Sequence, residues 1–152
     1  MARAALVLDA SVGVKWFAST GEDNLIEALD IRRAHIEGKA FIAVPDLFYY
    51  EVANALTYKK ALPLDEIELA IASLFDVSLQ SEILEAGLAR DSVKLARRLG
   101  LTVYDACYAV IAAKKSCPLV TANPRHQGKA HQLGCRVIPL KDWKGNDFSS
   151  NL

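Results

Sequence analysis

Five short runs rich in Val, Ile or Leu, at residues 4–9, 40–44, 77–80, 118–122 and 136–140, recur between longer stretches of helical character. That alternation constrains the fold more than any other feature of the chain. Apolar runs this short read as strands, and strands joined through helices pair in parallel. The pattern therefore predicts an α/β domain with a central parallel sheet of about five strands and helices on both faces, an α/β/α sandwich. The helical stretches are 11–17, 23–37, 46–60, 65–76, 82–99, 105–115 and 127–133, with Gly38, Pro45, Pro63 and Gly100 standing at several of their ends. No repeat or Gly-, Ser- or Pro-rich linker divides the chain, so one domain is expected over residues 1–141 and a short tail over 142–152.

Composition removes several classes of function. With 52% hydrophobic and 24% charged residues, the 152-residue chain can bury a core and is not a disordered segment. The longest stretch free of Asp, Glu, Lys and Arg is residues 116–124, nine residues against the ~18–20 a spanning helix requires. The run 4–8 is cut by Asp9, too soon for a signal peptide, so a cytoplasmic location without membrane contact is expected. Gly13 stands alone, which excludes a Gly-rich phosphate loop and a dinucleotide fingerprint. Cys107, Cys117 and Cys135 read as reduced thiols packed like small hydrophobes, and Cys117, His126, His131 and Cys135 lack the paired spacing of a zinc site. Net charge is zero but segregated: residues 1–89 carry 7 Lys/Arg and 14 Asp/Glu, residues 90–152 carry 11 and 4. Such segregation hints at an anionic partner for the second half, unless folding interleaves the halves.

Chemistry in an open parallel sheet collects outside the carboxyl ends of its strands. The polar residues expected there are mostly acids. Asp9 closes the first strand, Asp105 follows Leu101-Thr102-Val103-Tyr104 at the start of a helix, and Asn123 follows Leu119-Val120-Thr121-Ala122, with Ser11 and Thr121 beside them. Asp9 and Asp105 could each simply cap the helix that follows. Glu51 is harder to explain that way, because Leu47, Phe48 and Ala55 place it on or beside an apolar helical stripe. A carboxylate there needs compensation, either a neighbouring Lys such as Lys15 or a metal cation. Three carboxylates at one end of a sheet repel one another unless a divalent ion lies among them, and hard oxygen ligands favour Mg²⁺ or Mn²⁺, with phosphoryl chemistry as the natural use.

At these residues the sequence resembles the PIN-domain ribonucleases typified by the VapC toxins of bacterial and archaeal toxin–antitoxin pairs. The resemblance runs from about Ala4 to Leu140 and rests on Leu6-Val7-Leu8-Asp9-Ala10-Ser11, Glu51-Val52-Ala53-Asn54-Ala55-Leu56, Val103-Tyr104-Asp105-Ala106 and Leu119-Val120-Thr121-Ala122-Asn123, in that order. It implies a PIN-like parallel-sheet fold, Mg²⁺- or Mn²⁺-dependent endonucleolytic cleavage of RNA, a homodimer, and a VapB-like antitoxin that would block the site. Carried over by position, Asp9, Glu51 and Asp105 are the catalytic, metal-holding acids, supported by Ser11, Thr121 and Asn123. Asn123 departs from the pattern, since many relatives place a fourth acid there, and the missing charge weakens the case for a second metal ion. A housekeeping RNA-processing nuclease is the near alternative, and a degenerate PIN fold that binds RNA or protein without cutting is the distant one. A phosphoacceptor receiver domain fits less well, because the acidic pair after its first strand is missing.

Lys15, Arg125 and Lys129 are the basic residues expected to face RNA phosphates. The helices over 46–60 and 65–76 carry more apolar surface than one sheet face needs, which offers an interface if the pair does not pack on itself.

Overall fold

Ala4–Leu8 forms strand β1, in which Leu6, Val7 and Leu8 are all fully buried. A strand buried on both faces must lie inside a sheet that is itself covered on both sides. The structure, a computed structural model describing residues 4–17, 22–123, 132 and 134–145, places β1 in that position. Beyond it come α1 (Ala10–Gly13), a 3₁₀ turn (Val14–Phe17), α2 (Leu25–Ile36), β2 (Ala40–Pro45), α3 (Leu47–Thr57) and α4 (Leu64–Asp76). Then follow β3 (Gln80–Glu82), α5 (Ala86–Leu99), α6 (Val103–Lys114), β4 (Leu119–Thr121), β5 (Val137–Pro139) and a 3₁₀ turn at Leu140–Asp142.

The five strands are parallel in the order β3-β2-β1-β4-β5. The chain first winds outward through β2 to β3, then crosses back to β4 and β5. With right-handed crossovers that reversal puts the two groups of helices on opposite faces, giving the α/β/α sandwich. Helices α2 and α3 lie against β2, while α6 lies against β1, β2 and β4 and carries α5 outside it. Alternation of apolar runs with helices thus led to the correct fold class.

The third strand departs from expectation. Val77 and Leu79 are buried, but in the connection after α4, and the strand is Gln80–Glu82, paired with Ala43–Pro45 at the sheet edge. Gln80 and Ser81 are exposed, and an edge strand of this kind needs no apolar run, so hydrophobicity pointed too early. For the same reason α5 begins at Ala86 rather than residue 82. Glu85 caps it, accepting from the Gly87 N–H at 2.8 Å and the Leu88 N–H at 2.6 Å, which holds its carboxyl below the usual range. The helix expected over 127–133 falls, apart from residue 132, outside the described residues.

Folding also interleaves the two charge halves. Strand β4 and helix α6, from the basic half, pack directly on β1, from the acidic half. The segregation along the chain therefore does not become two oppositely charged lobes. Trp143, just past Lys141, is buried in the common core. Among the described residues no helix is long and apolar enough to cross a membrane.

Candidate functional site

The winding direction of the sheet reverses between β1 and β4, and the crevice outside the carboxyl ends of such neighbours is where α/β sheets place ligands. Val7 pairs with Leu119 and Leu8 with Val120, so Asp9 and Thr121, the next residues on each strand, stand side by side at that crevice. The backbone confirms the pairing: the Asp9 N–H donates to the Val120 carbonyl at 3.0 Å.

Asp9 is only 4% exposed. It is the N-cap of α1, its Oδ2 accepting from the Ser11 N–H at 3.0 Å, so the capping role expected for it is real and does not remove it from the crevice. The Ser11 hydroxyl accepts from the Ala122 N–H at 3.0 Å and ties α1 to the end of β4. Thr121 is fully buried and its hydroxyl accepts from the Asn123 N–H at 2.9 Å, shaping the exit of β4. Ser11 thus joins the β1 and β4 ends, while Thr121 and Asn123 set the turn out of β4.

Glu51 reaches the crevice from the middle of α3. Its Oε1 accepts a 2.8 Å hydrogen bond from the hydroxyl of Tyr108 on α6. Lys15, the alternative partner, instead lies 3.5 Å from Glu22 and donates to the Asp23 carbonyl at 2.9 Å, away from the acids. Tyr108 is wholly buried, and its phenol is pushed far above the ordinary value by that burial, then by the charges of Asp9 and Glu51. Glu51 is therefore met by a buried neutral donor, within reach of the Asp9 charge.

The close approach of α1 to α3 depends on Gly13. A Cβ at that position would stand 2.5 Å from Phe48 Cζ and 3.3 Å from Val52 Cγ2, so only glycine lets the Asp9 turn settle against the helix that carries Glu51.

Asp105 is 5% exposed, in the first turn of α6. It does not cap this helix. Thr102 does, its hydroxyl accepting from the Asp105 N–H at 3.0 Å, and α6 begins two residues earlier than expected. A negative side chain in the first turn is favoured by the helix dipole, and the cap holds the backbone from which it projects. Tyr108 follows Asp105 by three residues and shares its helix face. That i, i+3 spacing was the available signal for Tyr108, which the sequence reading of the helix over 105–115 did not single out.

The donor chemistry, three carboxylates on three elements, suits a hard divalent cation. Yet among the described residues no group of three or more His, Cys, Asp or Glu side chains is already close enough to hold one. Of the basic residues expected to face RNA, Arg125 and Lys129 lie outside the described residues, and Lys15 is bound up with Glu22.

Against known families, the sequence matches the PIN domain over residues 6–132. The chain belongs to the PIN-domain family. Among solved structures, this PIN domain is similar to PAE2754 from Pyrobaculum aerophilum, with a TM-score of 0.62 and 24% identity over 90% of each chain. It is also similar to VapBC2 from Rickettsia felis, solved bound to a DNA fragment from their promoter, with a TM-score of 0.62 and 15% identity over 92% of this chain and 99% of that one. VapBC-5 from Mycobacterium tuberculosis, a member of the VapBC family of toxin–antitoxin systems, gives a TM-score of 0.56 and 18% identity over 90% and 98%. At these identities the likeness is one of fold. No curated protein matches the sequence of this PIN domain.

Proposed function

We propose that this PIN domain is a Mg²⁺- or Mn²⁺-dependent endoribonuclease, the toxin of a VapBC-type pair, and that Asp9, Glu51 and Asp105 form its active site. The observation that carries this reading is buried Asp9 at the crevice where the sheet reverses direction, with Glu51 held by Tyr108 of α6 and buried Asp105 one turn before Tyr108 on the same helix. Membership of a nuclease family and the VapBC complexes among its structural neighbours support it.

In this account Asp9, Glu51 and Asp105 would hold the divalent ion, which would supply Lewis acidity toward a phosphate oxygen and lower the pKa of water. Tyr108 holds one oxygen of Glu51 and stays protonated throughout, so it positions without competing for protons. Asp105, oriented by the Thr102 cap, accepts the proton of the attacking water. Ser11 and Thr121 keep the β1 and β4 ends in register, and Asn123 offers a neutral amide where an acid would add charge. Arg125 and Lys129 are assigned to the RNA backbone, and Lys15 less directly, through its hold on the loop before α2.

The domain, expected over residues 1–141 with a tail from 142, is taken to include the buried Trp143 and to act in the cytoplasm as a homodimer restrained by an antitoxin. Tyr49 stacks on Phe75 with ring centroids 4.5 Å apart, so α3 and α4 do pack on each other, yet Leu64 and Leu69 remain 71% exposed, apolar surface suited to a partner. A housekeeping RNA-processing role uses the same chemistry. A non-cutting binding module draws its support from Asn123 and from the absence of a ready-made acidic cluster among the described residues.

The test is cleavage of a panel of labelled structured RNAs by the pure chain with Mg²⁺, Mn²⁺ or EDTA, beside Asp9→Asn and Asp105→Asn. Cutting that requires metal and disappears in both variants is expected. Equal cutting by the variants removes these residues from the site, and binding without cutting supports the non-catalytic module.

A further inference from the structure

Cys117 and Cys135 stand at matching places in the sheet. Each lies two residues before a residue of the β4–β5 ladder, Leu119 and Val137, which are direct Cα partners. Equal offsets from a paired position put two side chains opposite one another, and on the same face because side chains alternate along a strand. The Leu119 N–H donates to the Arg136 carbonyl at 2.8 Å, which holds the two segments together at the cysteine end. Both cysteines follow a sharp left-handed residue, Ser116 with φ 51° and Gly134 with φ 75°. Both also line one cavity of about 240 Å³ together with Ala112, Ala113 and Pro118. Burial pushes the Cys135 thiol up to about 11, and the neighbouring Cys117 adds to the rise.

We propose that Cys117 and Cys135 form a redox-active pair that closes to an intramolecular disulfide. Cys135 is half-buried and Cys117 buried, so Cys135 is the entry point. Its thiolate attacks one sulfur of a small-molecule disulfide, forming a mixed disulfide and expelling one thiol. Cys117, as thiolate, attacks the Cys135 sulfur and releases the second thiol. The protein gives up two protons and two electrons, and the oxidant becomes two thiols. Burial keeps both groups mostly as thiols near neutral pH, so the exchange is slow there and quickens as pH rises. The bond ties together the two ends of the segment 117–135, which includes Thr121 and Asn123. Cys107, buried on α6 beside Ser92, is outside this pair and serves as an internal control.

The test treats the full chain with oxidised glutathione between pH 7 and 9, follows its mass, and maps the peptides; a parallel sample is titrated with phenylarsine oxide, which bridges neighbouring thiols. Expected are a mass loss of about 2 Da, a Cys117–Cys135 cross-linked peptide, and a rate that climbs about tenfold per pH unit as the thiolate fraction rises. One arsenical should bind per chain, and Cys107→Ser should leave both results unchanged. Stable glutathione adducts on either cysteine, a cross-link involving Cys107, or three thiols that stay reduced with no arsenical bound would each overturn the pairing.

Discussion

Tyr108 donates a 2.8 Å hydrogen bond to Glu51 from a helix 57 residues further along the chain, joining the two faces of the sandwich at the crevice. The bond answers how a carboxylate can sit beside an apolar stripe: a buried neutral donor meets it. Tyr108→Phe removes the donor and keeps the ring. Stability should fall by about 1–2 kcal/mol in urea unfolding. If Tyr108 positions Glu51 for metal, the Mg²⁺ concentration giving half-maximal RNA cleavage should also rise, whereas an unchanged Mg²⁺ dependence would limit the bond to a structural role.

Gly13 is the contact point of α1 with α3. Gly13→Ala forces a methyl group into Phe48 and should destabilise the fold by about 1–3 kcal/mol. Adding Phe48→Leu should recover part of that loss. Additive losses in the double variant would show that Phe48 is not the obstacle.

Thr102 caps α6 and orients its first turn. Thr102→Ala should cost about 1 kcal/mol, and Thr102→Ser much less. In the proposed enzyme the Ala variant should also lose activity beyond what its stability explains, since Asp105 would be less firmly directed. Full activity at saturating metal would separate the cap from the site.

Glu22 binds Lys15 and Lys59 together, and its carboxyl is held below its ordinary 4.5 chiefly by the Lys59 hydrogen bond. A carboxylate with a lowered folded value contributes stability above the unfolded value, and that contribution disappears as pH falls through the folded one. Glu22→Gln should therefore be less stable than wild type at pH 7, by at most about 1 kcal/mol given the partial exposure of all three groups. The gap should narrow as pH falls below 4.5 and close once it has passed the lowered folded value. A gap that is constant from pH 7 to pH 3 would rule out the ion pair as its cause.

Strong local patterns were readable in the sequence: the apolar β1 run stopped by Asp9, the half-buried Glu51, and the glycine end of α5, where Gly100 takes φ 68°. These features depend on neighbours in sequence. What could not be read depends on partners far away. Glu51 finds Tyr108 rather than Lys15 because folding brings α3 and α6 together at the crevice across 57 residues of chain, a contact no periodicity encodes. Strand β3 is recruited by pairing with β2 despite its polar composition, and the α6 cap falls to Thr102 because Val103 and Tyr104, which lie before the start expected for that helix at residue 105, are helical. Gly13 looked like an isolated glycine because its reason, Phe48, lies on another helix.

The central claim is that Asp9, Glu51 and Asp105 act as one divalent site. The measurement that tests it most directly is anomalous diffraction from crystals of the full chain grown with Mn²⁺. The account predicts a peak within about 2.0–2.5 Å of oxygens from all three residues, lost in Asp9→Asn. A peak elsewhere, or none in crystals that still bind RNA, would contradict it.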